Sequence, residues 1–244
     1  MTGYLYKELK QNRLYILLTA ILVPVMIFLP LAVVMAEEKT MAKESFLSFA
    51  NSGMALRILF ALVGFVAAYI IQTFTLKGDD KKMWGYFVAS NPKGINGFVV
   101  TKYLFIAAMC LFFFVLGIGF DLAFTFITNY IGGISVPLMT EALFAMMFLM
   151  LLSNAVEIPF TIRFGEKRGS FIKTAIGIGI VIIALLAFFI NPAGVSDVVN
   201  DFLFNGKIPS LMKWILPVGS VIAYIISCAV SCKLYMKGVI NSYK

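Results

Sequence analysis

Polar and apolar residues fall in long blocks along this chain. Six apolar stretches, at residues 14–36, 58–76, 103–127, 139–159, 172–190 and 214–236, each approach or exceed the roughly 20 residues a helix needs to cross a bilayer. The polar blocks between them run to about 20 to 25 residues at most, too short for a soluble domain of ordinary size. The pattern predicts an all-α integral membrane protein, one transmembrane domain over 1–244. The first stretch ends in Val34-Met35-Ala36, which has the look of a cleavage site. Its 23 uncharged residues nevertheless exceed the roughly 7 to 15 of a signal core, so an uncleaved first helix is expected.

Shorter periodicities add detail. Before the first span, Tyr4 to Arg13 mixes apolar and charged residues at helical spacing. That suits an interfacial helix over 1–13, or a basic flank that merely orients the first span. Pro24 and Pro30 each remove a backbone donor from that span, so a kink is expected. In the last span Gly219, Ala223, Ser227 and Ser231 recur every four residues. Such a small-residue stripe allows close helix approach, either within one subunit or at a dimer seam. After Asn191-Pro192-Ala193-Gly194, the residues Val195, Val198, Val199, Phe202 and Leu203 form an apolar face opposite Ser196, Asp197, Asn200 and Asp201. A short amphipathic helix follows, on the outer leaflet or at the mouth of a conduit.

Composition agrees: 61% of residues are hydrophobic and 13% charged, far from the soluble average. Charge then orients the chain. With the N-terminus inside, 15 of the 20 Lys and Arg residues fall on the inner side, leaving Lys39, Lys43, Arg57, Lys207 and Lys213 outside. The positive-inside bias thus predicts a multi-pass membrane protein with both termini cytoplasmic. The net charge of +8 reflects that topology and anionic inner-leaflet lipid, and gives no reason to expect a nucleic-acid partner.

Several chemistries drop out. There is no histidine, which removes Ser-His and Cys-His nucleophile pairs and the His-bearing zinc motifs. Cys110, Cys228 and Cys232 all lie within spans and are expected to act as small apolar residues, with no metal site. No phosphate-binding loop occurs: Gly206-Lys207 is followed by Ile208, with Asp201 where the first glycine would stand. Asp121, Glu141 and Glu157 are the ionisable residues at membrane depth. Each lies near a span end, where anchoring or ion pairing accounts for it, Glu157 standing near Arg163. Alternatively Asp121, Thr125 and Asn154 line a translocation path.

Two polar connections carry a family resemblance. The first, residues 77–102, contains Asp79-Asp80-Lys81-Lys82-Met83-Trp84-Gly85-Tyr86, then Asn91-Pro92, then Lys102-Tyr103. It resembles the first intracellular loop of ABC-2-type transporter permeases. The second, residues 160–171 with Glu157 and Pro159 just ahead, continues through Arg163, Phe164, Gly165, Glu166, Lys167 and Arg168. It is similar to the Pro-x-x-x-(Lys/Arg)-Phe-Gly-x-x-(Lys/Arg) pattern of the same family. Lys93-Gly94 departs from relatives that carry Ser or Thr followed by Arg. Size and loop pattern resemble the small six-helix peptide exporters, such as the phenol-soluble-modulin exporter permeases.

The resemblance implies an ABC-2-type exporter transmembrane domain in a bacterial membrane, and a homodimer or pseudo-dimer of this subunit seated on two separate ABC ATPase subunits. Those subunits would bind ATP and Mg, while this chain binds no cofactor and catalyses nothing. Asp79, Asp80, Lys81, Lys82, Trp84, Tyr86 and Pro92 would form the ATPase-coupling segment, and the cargo would be an amphipathic or antimicrobial peptide. The alternative is the membrane subunit of another ABC-type system, for lipid, drug or vitamin, or a sensor subunit.

Overall fold

A computed structural model describes residues 2–36, 66–76, 88, 90, 94–132, 138–165, 171, 174–175, 178–179, 182, 186, 188–194 and 209–241. Every regular element among them is helical, as a chain without water to satisfy its backbone requires. Five helices are continuous: α1 Thr2–Ala36, α2 Val66–Leu76, α3 Gly94–Gly132, α4 Thr140–Phe164 and α5 Ser210–Asn241. Three of them contain segments long and apolar enough to cross a membrane: Gly94–Phe126, Thr140–Phe164 and Ser210–Tyr235. Within the expected span 172–190, every described residue is helical. The described side chains there and at Phe171 are mostly exposed, Ile178, Ile182, Leu186 and Phe189 among them, which suits contact with lipid.

The helices outrun their apolar stretches. α1 has 35 residues, about 52 Å at 1.5 Å per residue, against a hydrocarbon core of about 30 Å. The expected interfacial segment therefore continues into the first span as one unbroken helix. Likewise α3 begins at Gly94, so residues 94–102, which the polar Asn96, Thr101 and Lys102 assign to a loop, form its first two turns. Hydropathy marks where the bilayer ends, and intrahelical hydrogen bonds carry the helix further.

Contacts between helices fix their relative directions. The N-terminal parts of α1 and α3 meet the C-terminal parts of α2, α4 and α5 at one end of the bundle. That end, the basic end, carries Lys7, Lys10, Arg13, Lys102, Arg163 and Lys233. α4 packs against α5 more extensively than α3 packs against α1, α4 or α5, and it is the most enclosed of the three long apolar helices, α5 the least. The core draws on all five helices and includes Tyr4, Ile71, Phe98, Phe105, Ile106, Ile158 and Tyr235.

Candidate functional site

At the basic end, polar side chains are buried among apolar neighbours, where each needs a partner. On α1, Tyr4, Glu8 and Asn12 recur every four residues and point into the bundle. Asn12 Nδ2 donates to Thr75 Oγ1 at 3.2 Å, joining α1 to α2. Gln72, one turn earlier, donates to Glu157 Oε2 on α4 at 2.9 Å.

Lys102 is only 3% exposed, which places a cation where water cannot solvate it. Its Nζ donates to the carbonyl of Thr75 at 2.7 Å, which gives the buried ammonium a polar partner on α2. The same ammonium lies 5.1 Å from the Phe98 ring centre and Lys7 lies 5.6 Å from it, both within cation–π range. Tyr4 and Tyr235 meet Phe98 edge-on at 5.5 and 5.6 Å. Val88, near the end of the connection between α2 and α3, is fully buried in the same cluster. Lys102 therefore bonds the helix that enters this connection to the helix that leaves it.

A second knot lies beside the first. Pro159 sits inside α4 and has no N–H, so it cannot satisfy the carbonyl of Ala155 four residues back. Ser227 of α5 supplies the missing donor, its hydroxyl reaching Ala155 O at 2.5 Å. Tyr103 OH lies 2.7 Å from both Ser227 Oγ and Ser231 Oγ, and Tyr224 OH donates to Tyr103 O at 2.7 Å. The small-residue stripe thus has two fates. Ser227 and Ser231 pack inside the subunit against α3 and α4. Gly219 is exposed, and a Cβ added there would meet nothing within 4 Å.

α4 ends at Phe164, where Gly165 has φ 81° and ψ 170° and its N–H donates to Thr161 O at 2.9 Å. That backbone region is essentially restricted to glycine, which gives the Phe-Gly pair of the second connection a steric cause. Gly94, at φ 59°, starts α3 in a conformation that likewise favours glycine. Arg163 lies 5.0 Å from the Phe164 ring centre and does not pair with Glu157. Six residues at 100° each set their side chains about 120° apart around the helix.

The residues expected to line a path do not converge. Asp121 Oδ2 accepts the Met139 N–H at 2.7 Å, placing a carboxylate at the start of α4, whose own N-cap side chain makes no capping bond. Thr125 is half-buried one turn further along α3. Asn154 donates to Cys110 Sγ at 3.6 Å, and Cys110 lies eleven residues, about 16 Å, before Asp121 on α3. Glu141, in the first turn of α4, pairs with Lys213 at 2.7 Å. The three cysteines are free thiols. Among the described residues no group of His, Cys, Asp and Glu is placed to hold a metal.

The family described as ABC-2 family transporter protein matches the chain across residues 9–236. The chain belongs to that family. It is a multi-pass permease subunit of an ABC transporter, a class whose ATPase partner is a different chain. No curated protein and no solved structure matches. In this ABC-2 permease Lys102 and Tyr103, quoted for their sequence resemblance, each anchor one of the two knots. Asp79, Asp80, Lys81, Lys82, Trp84, Tyr86 and Pro92 lie outside the described residues, as do Glu166 and Lys167 and the segment 195–203. Sequence reading passed over Gln72, Thr75, Phe98 and Tyr224. Gln72 and Thr75 carried a usable signal as polar residues in an apolar stretch. Phe98 and Tyr224 carried none, because aromatic residues within and beside membrane spans are ordinary in a chain with 24 Phe and 10 Tyr.

Proposed function

We propose that this permease is the membrane half of an exporter of amphipathic peptides. It would act as a homodimer on two ATPase subunits that bind ATP and Mg, in the bacterial plasma membrane with both termini cytoplasmic. The basic end then faces the ATPases. Asp79 to Tyr86 forms the coupling segment, with Trp84 and Tyr86 as buried anchors and the charges beside them as its rim. The observation that carries the coupling role is the Lys102 bond to Thr75 O. It closes the base of the connection that bears this segment, so a push on the segment moves α2 and α3 together. Asn12 and Gln72 pass that movement to α1 and α4.

The peptide cargo rests on the lining available. With 24 Phe and 13 Met, the chain offers surfaces that repack around varied apolar shapes, whereas an ion or a sugar needs fixed polar ligands. The test is ATP hydrolysis by the reconstituted permease–ATPase complex. Amphipathic helical peptides should raise the rate and sugars, ions and vitamins should not; stimulation by the latter alone overturns the cargo. Orientation is read separately in intact cells. Cysteines introduced by Gly78→Cys and Gly169→Cys should resist an impermeant thiol reagent added outside, and Asn200→Cys should react. Labelling at Gly78→Cys reverses the topology.

A further inference from the structure

A groove of about 680 Å³ runs between α3 and α5 outside both knots. Leu104 and Ala107 wall it on α3, Ile225 and Ala229 on α5, and Asn96 and Lys233 stand at its basic end. From Asn96 to Ala107 is eleven residues, about 16 Å along the helix, close to half of a hydrocarbon core of about 30 Å. On α5 the lining runs from Lys233, near the end of the apolar stretch 214–236, to Ile225, eight residues or about 12 Å inward and close to the middle of that stretch, so on this side the groove reaches from the interface toward the mid-plane. Lys233 is exposed, and its side chain makes no ion pair or hydrogen bond among the described residues.

We propose that this groove holds an anionic glycerophospholipid, with an acyl chain against Leu104 and Ala229 and the headgroup phosphate on Lys233. Depth, apolarity and charge each select that occupant. A cleft of this length admits an acyl chain, the hydroxyls of its two lining tyrosines are already hydrogen-bonded within the subunit, and a lone cation at the headgroup level prefers a phosphate with net negative charge. A zwitterionic lipid fills the same walls without that preference. The bound lipid covers Tyr103 and Tyr224, which also line the groove, and so packs against the Tyr103 knot from outside.

The test uses the full-length chain, stripped of lipid in detergent and titrated with phosphatidylglycerol or phosphatidylcholine of equal chain length, with retained lipid counted by native mass spectrometry. Phosphatidylglycerol should be retained at about one per copy and with about fivefold higher affinity, the preference expected of one lysine. Lys233→Gln should abolish the preference. Ala229→Trp, or Leu104→Trp from the opposite wall should the first fail to fold, should reduce retention of both lipids. Equal retention of the two lipids by the wild type, or an unchanged preference in Lys233→Gln, overturns the headgroup assignment. Undiminished retention in a folded tryptophan variant overturns the groove. Efficient disulfide cross-linking of Ala229→Cys between two copies overturns the lipid in favour of a self-association face. None of these outcomes depends on the ATPase or the cargo.

Discussion

The two ends of the bundle are held by different physics. At the basic end the bonds between helices are buried: Asn12 to Thr75, Lys102 to Thr75 O, Gln72 to Glu157, and Ser227 to both Tyr103 and Ala155 O. At the opposite end α3 meets α4 through one buried bond, from the Met139 N–H to Asp121, whereas α4 meets α5 through Glu141 and Lys213, both 41% exposed. Exposed ion pairs contribute about 0 to 1 kcal/mol. Truncating a buried hydrogen-bonded group costs about 1 to 3 kcal/mol, because its partner is stranded. Among the described residues the buried interhelical bonds are therefore concentrated at the basic end, and the α4–α5 contact at the opposite end is made by exposed charges; the proposed coupling role would use that difference.

The largest effect is expected where the basic end meets the ATPase. The double change Trp84→Ala and Tyr86→Ala should weaken co-elution of the partner by about 2 kcal/mol or more, the loss of a buried aromatic anchor. Unchanged assembly and turnover would remove the coupling role from that segment.

Lys102→Met comes next. Losing a charged hydrogen bond costs about 1.5 to 3 kcal/mol, so transport per ATP should fall about tenfold while the ATPase still co-purifies, with Lys102→Arg keeping part of the coupling. Equal coupling in the Lys102→Met and wild-type complexes would show that the link between α2 and α3 is only structural.

Ser227→Ala sharpens the comparison through its cause. It should lower stability in detergent by about 1 kcal/mol. In the Pro159→Ala background, where residue 159 regains an N–H for Ala155 O, that cost should shrink towards zero. A cost independent of Pro159 would break the proposed origin of the knot.

The smallest effect belongs to the opposite end. Lys213→Ala should shift stability by less than about 0.5 kcal/mol, and less still at high salt. A loss as large as that of Ser227→Ala would erase the contrast between the two ends.

Legibility followed the same division. The small-residue stripe was visible in Ser227 and Ser231, yet only contact showed that it faces Tyr103 and Ala155 inside the subunit. Lys102-Tyr103 was recognisable as a motif, while Gln72 and Thr75 passed as polar interruptions of an apolar run. Glu157 was placed beside Arg163 by proximity in sequence, and helical geometry sent the two to different faces.

By itself the sequence determined the helical membrane architecture, the concentration of cations at one end and the family. Hydrocarbon permits few backbone solutions, and those leave periodic, compositional traces. Only the tertiary structure decided which buried polar group meets which. A hydrogen bond between Asn12 and Thr75, or between Ser227 and a carbonyl freed by Pro159, depends on the rotation and depth of helices distant in the chain, and no local pattern of residues encodes either.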